Sequence, residues 1–238
     1  MIKYRDVNQL GKSDLGWLQS HFHFSFAEYY NPSNMHFGVL RVLNDDYIAP
    51  SSGFDLHPHR DMEIVTYVIK GELTHRDSMG NERILKRGEM QYMSAGTGVF
   101  HSEHNHAEEE LHMLQIWIFP DRKSYRPKYG DHRFEWAKRQ GKWLHMVSGI
   151  GGGAAVNIHQ DINIYAVEVD AGKDIAFEVE EGRQAYLVQM EGEAQINGLP
   201  LHPGDALEST EETLSIQAIG KSHILVLEMS AAPAAPVM

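Results

Sequence analysis

The 238-residue chain contains no cysteine. That absence removes disulfides, thiolate metal ligands, iron–sulfur clusters and cysteine nucleophiles together. The chain also lacks any apolar run of the roughly 18 residues that would span a bilayer as a helix. Its first residues, Met1-Ile2-Lys3-Tyr4-Arg5-Asp6, hold no apolar core of signal-peptide length. The expectation is a cytoplasmic protein with no membrane partner. Positive charge is scarce: 21 Lys and Arg stand against 33 Asp and Glu, for a net charge of −12. With no Lys/Arg-rich run and no nucleic-acid motif to override that balance, direct binding of nucleic acid is not expected. Hydrophobic residues (42%) and charged residues (23%) are those of an ordinary globular chain, so bulk composition selects no special class.

Histidine is what the chain has in excess, with 15 residues. In a cysteine-free protein this makes nitrogen and oxygen ligation of a metal the first hypothesis. Most of the sequence divides into short strands separated by turn signals, a pattern of all-β folds. Glu63–Lys70 (EIVTYVIK) is rich in β-branched and aromatic residues and stops at Gly71. Ser78-Met79-Gly80-Asn81 reads as a hairpin turn, Met113–Phe119 as a strand closed by Pro120, and Arg133–Lys142 as a short helix. Two segments repeat one pattern: Tyr67–Glu72 followed by Lys86–Met90, and Leu187–Glu193 followed by His202–Ala206. Each reads as strand, glycine turn, strand, turn, then Gly-acid-apolar, so the halves share one supersecondary unit. The expected division is 1–140, 141–230 and a disordered tail, 231–238.

His57-Pro58-His59 is the sharpest local feature. Side chains at i and i+2 of a strand share a face, and Pro58 favours extended geometry at His57 while placing the pair at a strand end or edge. A second pair of ligand type, His101-Ser102-Glu103, follows Ser94–Phe100. If the pairs face each other, three imidazoles and a carboxylate converge, a donor set suited to Fe(II), Mn, Co, Ni, Cu or Zn. Other pairs, His21/His23 and His104/His106, read as structural or surface pairs. Glu63 is a further candidate ligand by its spacing from His59. His145, His159, His202 and His223 are scattered singly, and no metal site is expected in the second half.

Gly53-x3-His57-x-His59-x3-Glu63-x7-Gly71 resembles the first cupin motif, with altered spacings. Gly88-x5-Ser94-x-Gly96 followed by His101-x3-Asn105 resembles the second. HPHRDMEIVTYVIKGELTHRDSMGNE (57–82) together with SAGTGVFHSEHN (94–105) is similar to the pirin family, specifically its bacterial members. The likeness extends to Gly16-Trp17-Leu18, Phe24–Ala27 and Leu40–Asp46, close in the first half and looser in the second. It implies a bicupin of two jelly-roll-like β-barrels, with a metal-binding N-terminal barrel and a C-terminal barrel that has lost its ligands. It also implies one divalent metal, Fe(II) first among the ions above, held by His57, His59, His101 and Glu103, with Glu63 not a ligand.

Bacterial pirins resemble quercetin 2,3-dioxygenases, which open the central ring of a flavonol with O2 and release carbon monoxide. The resemblance therefore implies a small aromatic substrate such as a flavonol, O2 as co-substrate, and a monomer. Glu103 is a ligand on either of two readings, and on one of them also the general base for the flavonol hydroxyl. Phe54, Phe100 and Trp117 are candidate pocket walls or simple core. Eukaryotic pirins imply a different class, a metal- or redox-responsive module that binds a protein partner. A Lewis-acid cupin such as an isomerase, acting without O2, is a third.

Overall fold

The computed structural model describes residues 1–232. Among them are 22 strands, two single turns of 3-10 helix and no α-helix, so no helix is long and apolar enough to cross a membrane. The expected helix at Arg133–Lys142 is reduced to Trp136–Arg139. No side chain caps its start, and its Arg139 is buried with the guanidinium 4.5 Å from the Trp136 ring centroid.

The chain forms two compact units. One comprises Gly11–Phe134 with Ile158–Gln160; the other comprises Met1–Leu10, Glu135–Asn157 and, among the described residues, 161–232. Ile2–Arg5 is an edge strand on Ala206–Thr210, so the first residues belong to the second unit. Ile158–Gln160 belongs to the first, where Glu63 holds it. The tail expected from residue 231 lies outside the described residues beyond Ala232.

The first unit is a two-sheet sandwich. Its seven-stranded sheet runs in the order Lys128–His132, Met90–Ser94, Glu63–Lys70, Leu111–Ile118, Leu40–Ile48, Leu18–Phe22, Gly11–Asp14. Its four-stranded sheet runs Ser52–His59, Val99–Asn105, Glu72–Asp77, Glu82–Lys86. Every adjacent pair is antiparallel. The second unit repeats this plan, with sheets of seven and four strands. The glycines of the sequence repeat recur as matched turns, Gly71 with Gly192 and Gly88 with Gly204, all at positive φ between 72° and 87°, where a side chain would be strained. The sheets are open jelly-roll sandwiches rather than closed barrels, bounded by short edge strands of four and five residues in the first unit that limit further pairing.

Each core lies between the sheets of its own unit. Leu18, Ile48, Val68, Leu111 and Met113 of the large sheet meet Leu73 and Leu85 of the small one. In the second unit Val167, Leu187, Ile224 and Val226 meet Ile196, Ile216 and Ala218. The alternation that supplies these faces also aims the polar residues of the same strands. In Val99–Asn105 the buried positions are Val99, His101, Glu103 and Asn105, whereas Phe100, Ser102 and His104 turn outward.

Candidate metal centre

The two ligand-type pairs lie on neighbouring strands of the small sheet. His57 stands directly across from His101, and His59 across from Val99. Gly53 permits that approach, because a Cβ there would fall 2.3 Å from the Glu103 carbonyl oxygen and 2.5 Å from the His104 Cα. The register shifts between His101 and Glu103, which stands opposite Phe54 on one side and His75 on the other.

Three imidazoles gather as a result. Ring centroids are 4.4 Å apart for His57 and His101, 4.9 Å for His57 and His59, and 4.8 Å for His59 and His101. The ligand atoms of His57, His59 and His101 lie within 4.8 Å of one another, and so do those of a second group, His75, His101 and Glu103. The groups share His101, which joins the His57/His59 dyad to the carboxylate.

The nitrogens are in a state that suits a cation. His57 Nδ1 lies 2.7 Å from the Asp55 carbonyl oxygen, an acceptor that fixes the proton there and leaves Nε2 for a metal. His101 is 1% exposed, and both its ring nitrogens are buried without a hydrogen-bond partner. Burial, followed by the neighbouring His101 and His57, pushes His59 down to about 3. Burial, followed by His57 and His75, likewise pushes His101 down to about 3. Both are therefore neutral at pH 7, the form that binds a metal. Buried polar atoms rarely go unpaired, so the orphaned nitrogens of His101 make this cluster a candidate ion site. The donor set fits a first-row divalent cation.

Glu103 is also 1% exposed. Its Oε1 accepts from Thr66 Oγ1 (3.1 Å) and Gln91 Nε2 (2.6 Å), and its Oε2 from Gln115 Nε2 (2.6 Å). These three residues face one another across three adjacent strands of the large sheet, Gln91 opposite Thr66 and Thr66 opposite Gln115. They form a polar row that orients the carboxylate. Alongside, His75 Nε2 lies 3.2 Å from Asp77 Oδ2, while Asp77 Oδ1 accepts from the Met79 and Asn81 backbone N–H groups of the hairpin turn. The His75 ring stacks on Tyr129 with centroids 4.4 Å apart.

Sequence reasoning overlooked this supporting set. Its signal was an isolated polar residue inside an apolar strand: Thr66 in EIVTYVIK, Gln91 in MQYMS and Gln115 in LHMLQIWI. His75 carried no such signal: ELTHRD has one apolar residue, and only the fold buries His75 with Leu73 and Thr74.

The other histidines have separate partners. His104 Nε2 lies 3.3 Å from Asp55 Oδ1, and its ring stacks on His106. His145 bonds Asn163, His202 lies near Asp205 and His223 near Glu191. Glu63 is fully buried and belongs to a different cluster. It accepts from Tyr92 Oη (2.9 Å), the His159 backbone N–H (3.0 Å) and the Gln160 backbone N–H (3.0 Å), and faces His159 Nδ1 at 2.8 Å. It is an anchor for the 158–160 segment rather than a ligand. Neither it nor His21 or His23 joins a metal-type group among the described residues.

A cavity of about 300 Å³ opens beside the imidazoles, lined by His57, His59 and Glu103 and walled by Phe22, Phe26, Phe54 and Trp117. Phe54 and Trp117 thus line it as candidate walls, whereas Phe100 is half exposed on the opposite face of its strand. Asn44, Asp46 and Gln115 supply polar surface to the cavity. Asp46 is buried and accepts from Ser20 Oγ at 2.5 Å. Burial above all, with Asp45 and Glu103 adding, pushes its carboxyl up to about 7 against the opposing effect of that hydrogen bond.

The comparisons with known proteins agree with this geometry. The Pirin family model matches residues 3–118, and that of the quercetinase C-terminal cupin domain matches 145–229. A Pseudomonas aeruginosa protein that carries quercetin 2,3-dioxygenase as a provisional name is 43% identical over 97% of this chain and all of its own. Quercetin 2,3-dioxygenase of Escherichia coli K12 is 39% identical over 96% of this chain and 99% of its own. The crystal structure of the Escherichia coli pirin YhhW in complex with nickel(II) superposes with a TM-score of 0.89 at 38% identity, covering 97% of this chain and 99% of that one. A tandem cupin with its candidate ligands in the first unit, matched along its length by such relatives, is a member of the pirin family.

Proposed function

We propose that this protein is a metal-dependent dioxygenase that opens the central ring of a flavonol, with His57, His59, His101 and Glu103 holding one first-row divalent cation, Fe(II) foremost. The observation that carries the reading is the buried His101 ring, unpaired at both nitrogens, beside His57 and His59 at the wall of an aromatic-lined cavity. A cation bound there would make a phenolic hydroxyl more acidic and supply the redox or Lewis-acid character that O2 chemistry needs.

The chain's own residues supply the rest. Phe22, Phe26, Phe54 and Trp117 offer flat apolar surfaces to a planar ring system and exclude water from it. His57 keeps its tautomer through the Asp55 carbonyl. Glu103 is oriented by Thr66, Gln91 and Gln115, and takes up the hydroxyl proton at a carboxylate oxygen as the flavonol docks. The names of the relatives support the substrate class.

The test is quercetin loss followed by absorbance, with protein reconstituted separately with Fe(II), Mn, Co, Ni, Cu and Zn. Multiple turnovers in air with a redox-capable metal, and none under nitrogen, are the expected result. Stoichiometric metal binding without turnover by any metal would overturn the enzyme reading in favour of a metal-responsive protein-binding module. Turnover that persists under nitrogen would indicate Lewis-acid chemistry instead.

A further inference from the structure

Two residues that line the cavity beside the candidate ligands, Asn44 and Trp117, each hold a buried polar atom that the protein itself leaves unpaired. Among the cavity's polar lining residues, Gln115 donates its amide to Glu103 and its oxygen shares the one Thr66 hydroxyl proton with Glu103, and Asp46 accepts from Ser20. Asn44 is 3% exposed and its Oδ1 has no hydrogen-bond partner. Trp117 Nε1 is likewise buried without an acceptor. Leaving a buried donor or acceptor unmade is costly, so one acceptor and one donor retained on residues that line one cavity point to a ligand that answers both.

Their placement says what that ligand presents. Asn44 stands directly opposite Gln115 and so extends by one strand the row Gln91–Thr66–Gln115 that holds Glu103. Trp117 lies two residues beyond Gln115 on the same face of the strand Leu111–Ile118 and is the diagonal neighbour of Asn44. Its ring packs edge-on to His59 with centroids 4.8 Å apart. Directly opposite side chains in such a sheet have Cβ atoms about 4.5–5.5 Å apart, and diagonal ones about 7–8 Å. Asn44 and Trp117 are therefore neighbours on one sheet face, and Trp117 also touches the candidate ligand His59.

We propose that Asn44 and Trp117 are the substrate-reading pair of this cavity: Asn44 Oδ1 accepts a hydrogen bond from a ring hydroxyl, and Trp117 Nε1–H donates one to the ring carbonyl of the same molecule. The substrate class is then a planar hydroxylated aromatic ketone carrying a hydroxyl beyond the one that meets the metal. This assignment rests on the flavonol reading above and narrows it. A flavonol bearing only the 3-hydroxyl leaves Asn44 unanswered, and sites built to bond a hydroxyl reject analogues that lack it.

The experiment is calorimetric titration of Zn(II)-loaded protein under nitrogen with two probes, quercetin and 3-hydroxyflavone, so that binding is read without turnover. Wild type is expected to bind quercetin at least about tenfold tighter, the equivalent of one hydrogen bond of about 1.4 kcal/mol. Asn44→Leu should bring the two affinities within about twofold of each other. Trp117→Phe should weaken both by about tenfold and leave their ratio unchanged. Asn44→Ala carries the same test if the leucine is not accommodated, with melting temperature and zinc content as checks on the fold. Equal binding of the probes by wild type, or a ratio that survives loss of the Asn44 amide, overturns the Asn44 role. Unchanged affinities in Trp117→Phe overturn the donor role. Quercetin turnover measured in parallel separates the two readings: discrimination without turnover upholds the pair and removes the dioxygenase. Turnover without discrimination removes the pair alone, and no binding of either probe removes both.

Discussion

Replacing His101 by leucine should stabilise the metal-free protein. The imidazole is 1% exposed and neither nitrogen has a partner. In the absence of a cation the native state therefore carries a desolvated polar ring whose unmet hydrogen bonds cost about 1–3 kcal/mol. Leucine is of similar size, packs beside the apolar Val99 on the same buried strand face, and has no polar atom to desolvate. The chelated His101→Leu variant should exceed chelated wild type by that amount, and for a chain of this length each kcal/mol moves the melting temperature by about 2–4 °C. Adding metal reverses the order. A ligand at one hundred times its Kd stabilises the native state by about 2.7 kcal/mol, and only wild type retains the complete donor set. The assay is thermal unfolding by circular dichroism with EDTA and with Zn(II), together with metal content by mass spectrometry. A chelated variant less stable than wild type by 1 kcal/mol or more would falsify the reasoning, because it would mean that the ring is satisfied as a structural group. Equal stabilisation of both proteins by zinc would refute the ligand assignment.

Three further outcomes follow from named contacts. Glu63→Ala should cost about 3–5 kcal/mol, because it strands buried groups on Tyr92, His159 and Gln160 that now converge on one carboxylate. Metal content should not change; lost metal at unchanged stability in urea would make Glu63 a ligand after all. Asp46 titrates near 7 in the folded protein against an ordinary 3.8, so between those values the native state binds more protons than the unfolded one. Its contribution is complete below about pH 3.8 and is lost as pH rises through about 7. Three pH units correspond to about 4 kcal/mol as an upper limit. In urea unfolding from pH 5 to 8, chelated wild type and Asp46→Asn, whose amide mimics the neutral carboxyl, should nearly match at low pH and diverge at high pH, where the buried carboxylate ionises and wild type becomes the less stable; a flat difference rejects the assignment. Finally, Gly53→Ala should place a Cβ against the backbone of Glu103 and His104, separate the ligand strands and lower zinc stoichiometry. Full occupancy at wild-type stability would show that the strands do not need that approach.

The sequence by itself determined a great deal here, because the information was local. Period-2 alternation named the strands and put His57 with His59, and His101 with Glu103, on shared faces. The paired glycine turns at Gly71 and Gly192, and at Gly88 and Gly204, exposed the internal repeat, since each such backbone position favours glycine whatever surrounds it. The motif strings identified the family for the same reason. Only the tertiary structure decided what depends on cross-strand register. It set His57 opposite His101, brought Thr66, Gln91 and Gln115 from strands up to about 50 residues apart onto Glu103, and took Glu63 away from the site to meet His159. It also returned the first ten residues to the second unit and left Asn44 and Trp117 as the unpaired atoms of the cavity. Strand order and register are settled by packing two faces at once, and a lone polar residue in an apolar strand does not say which partner it will meet until the neighbouring strand is in place.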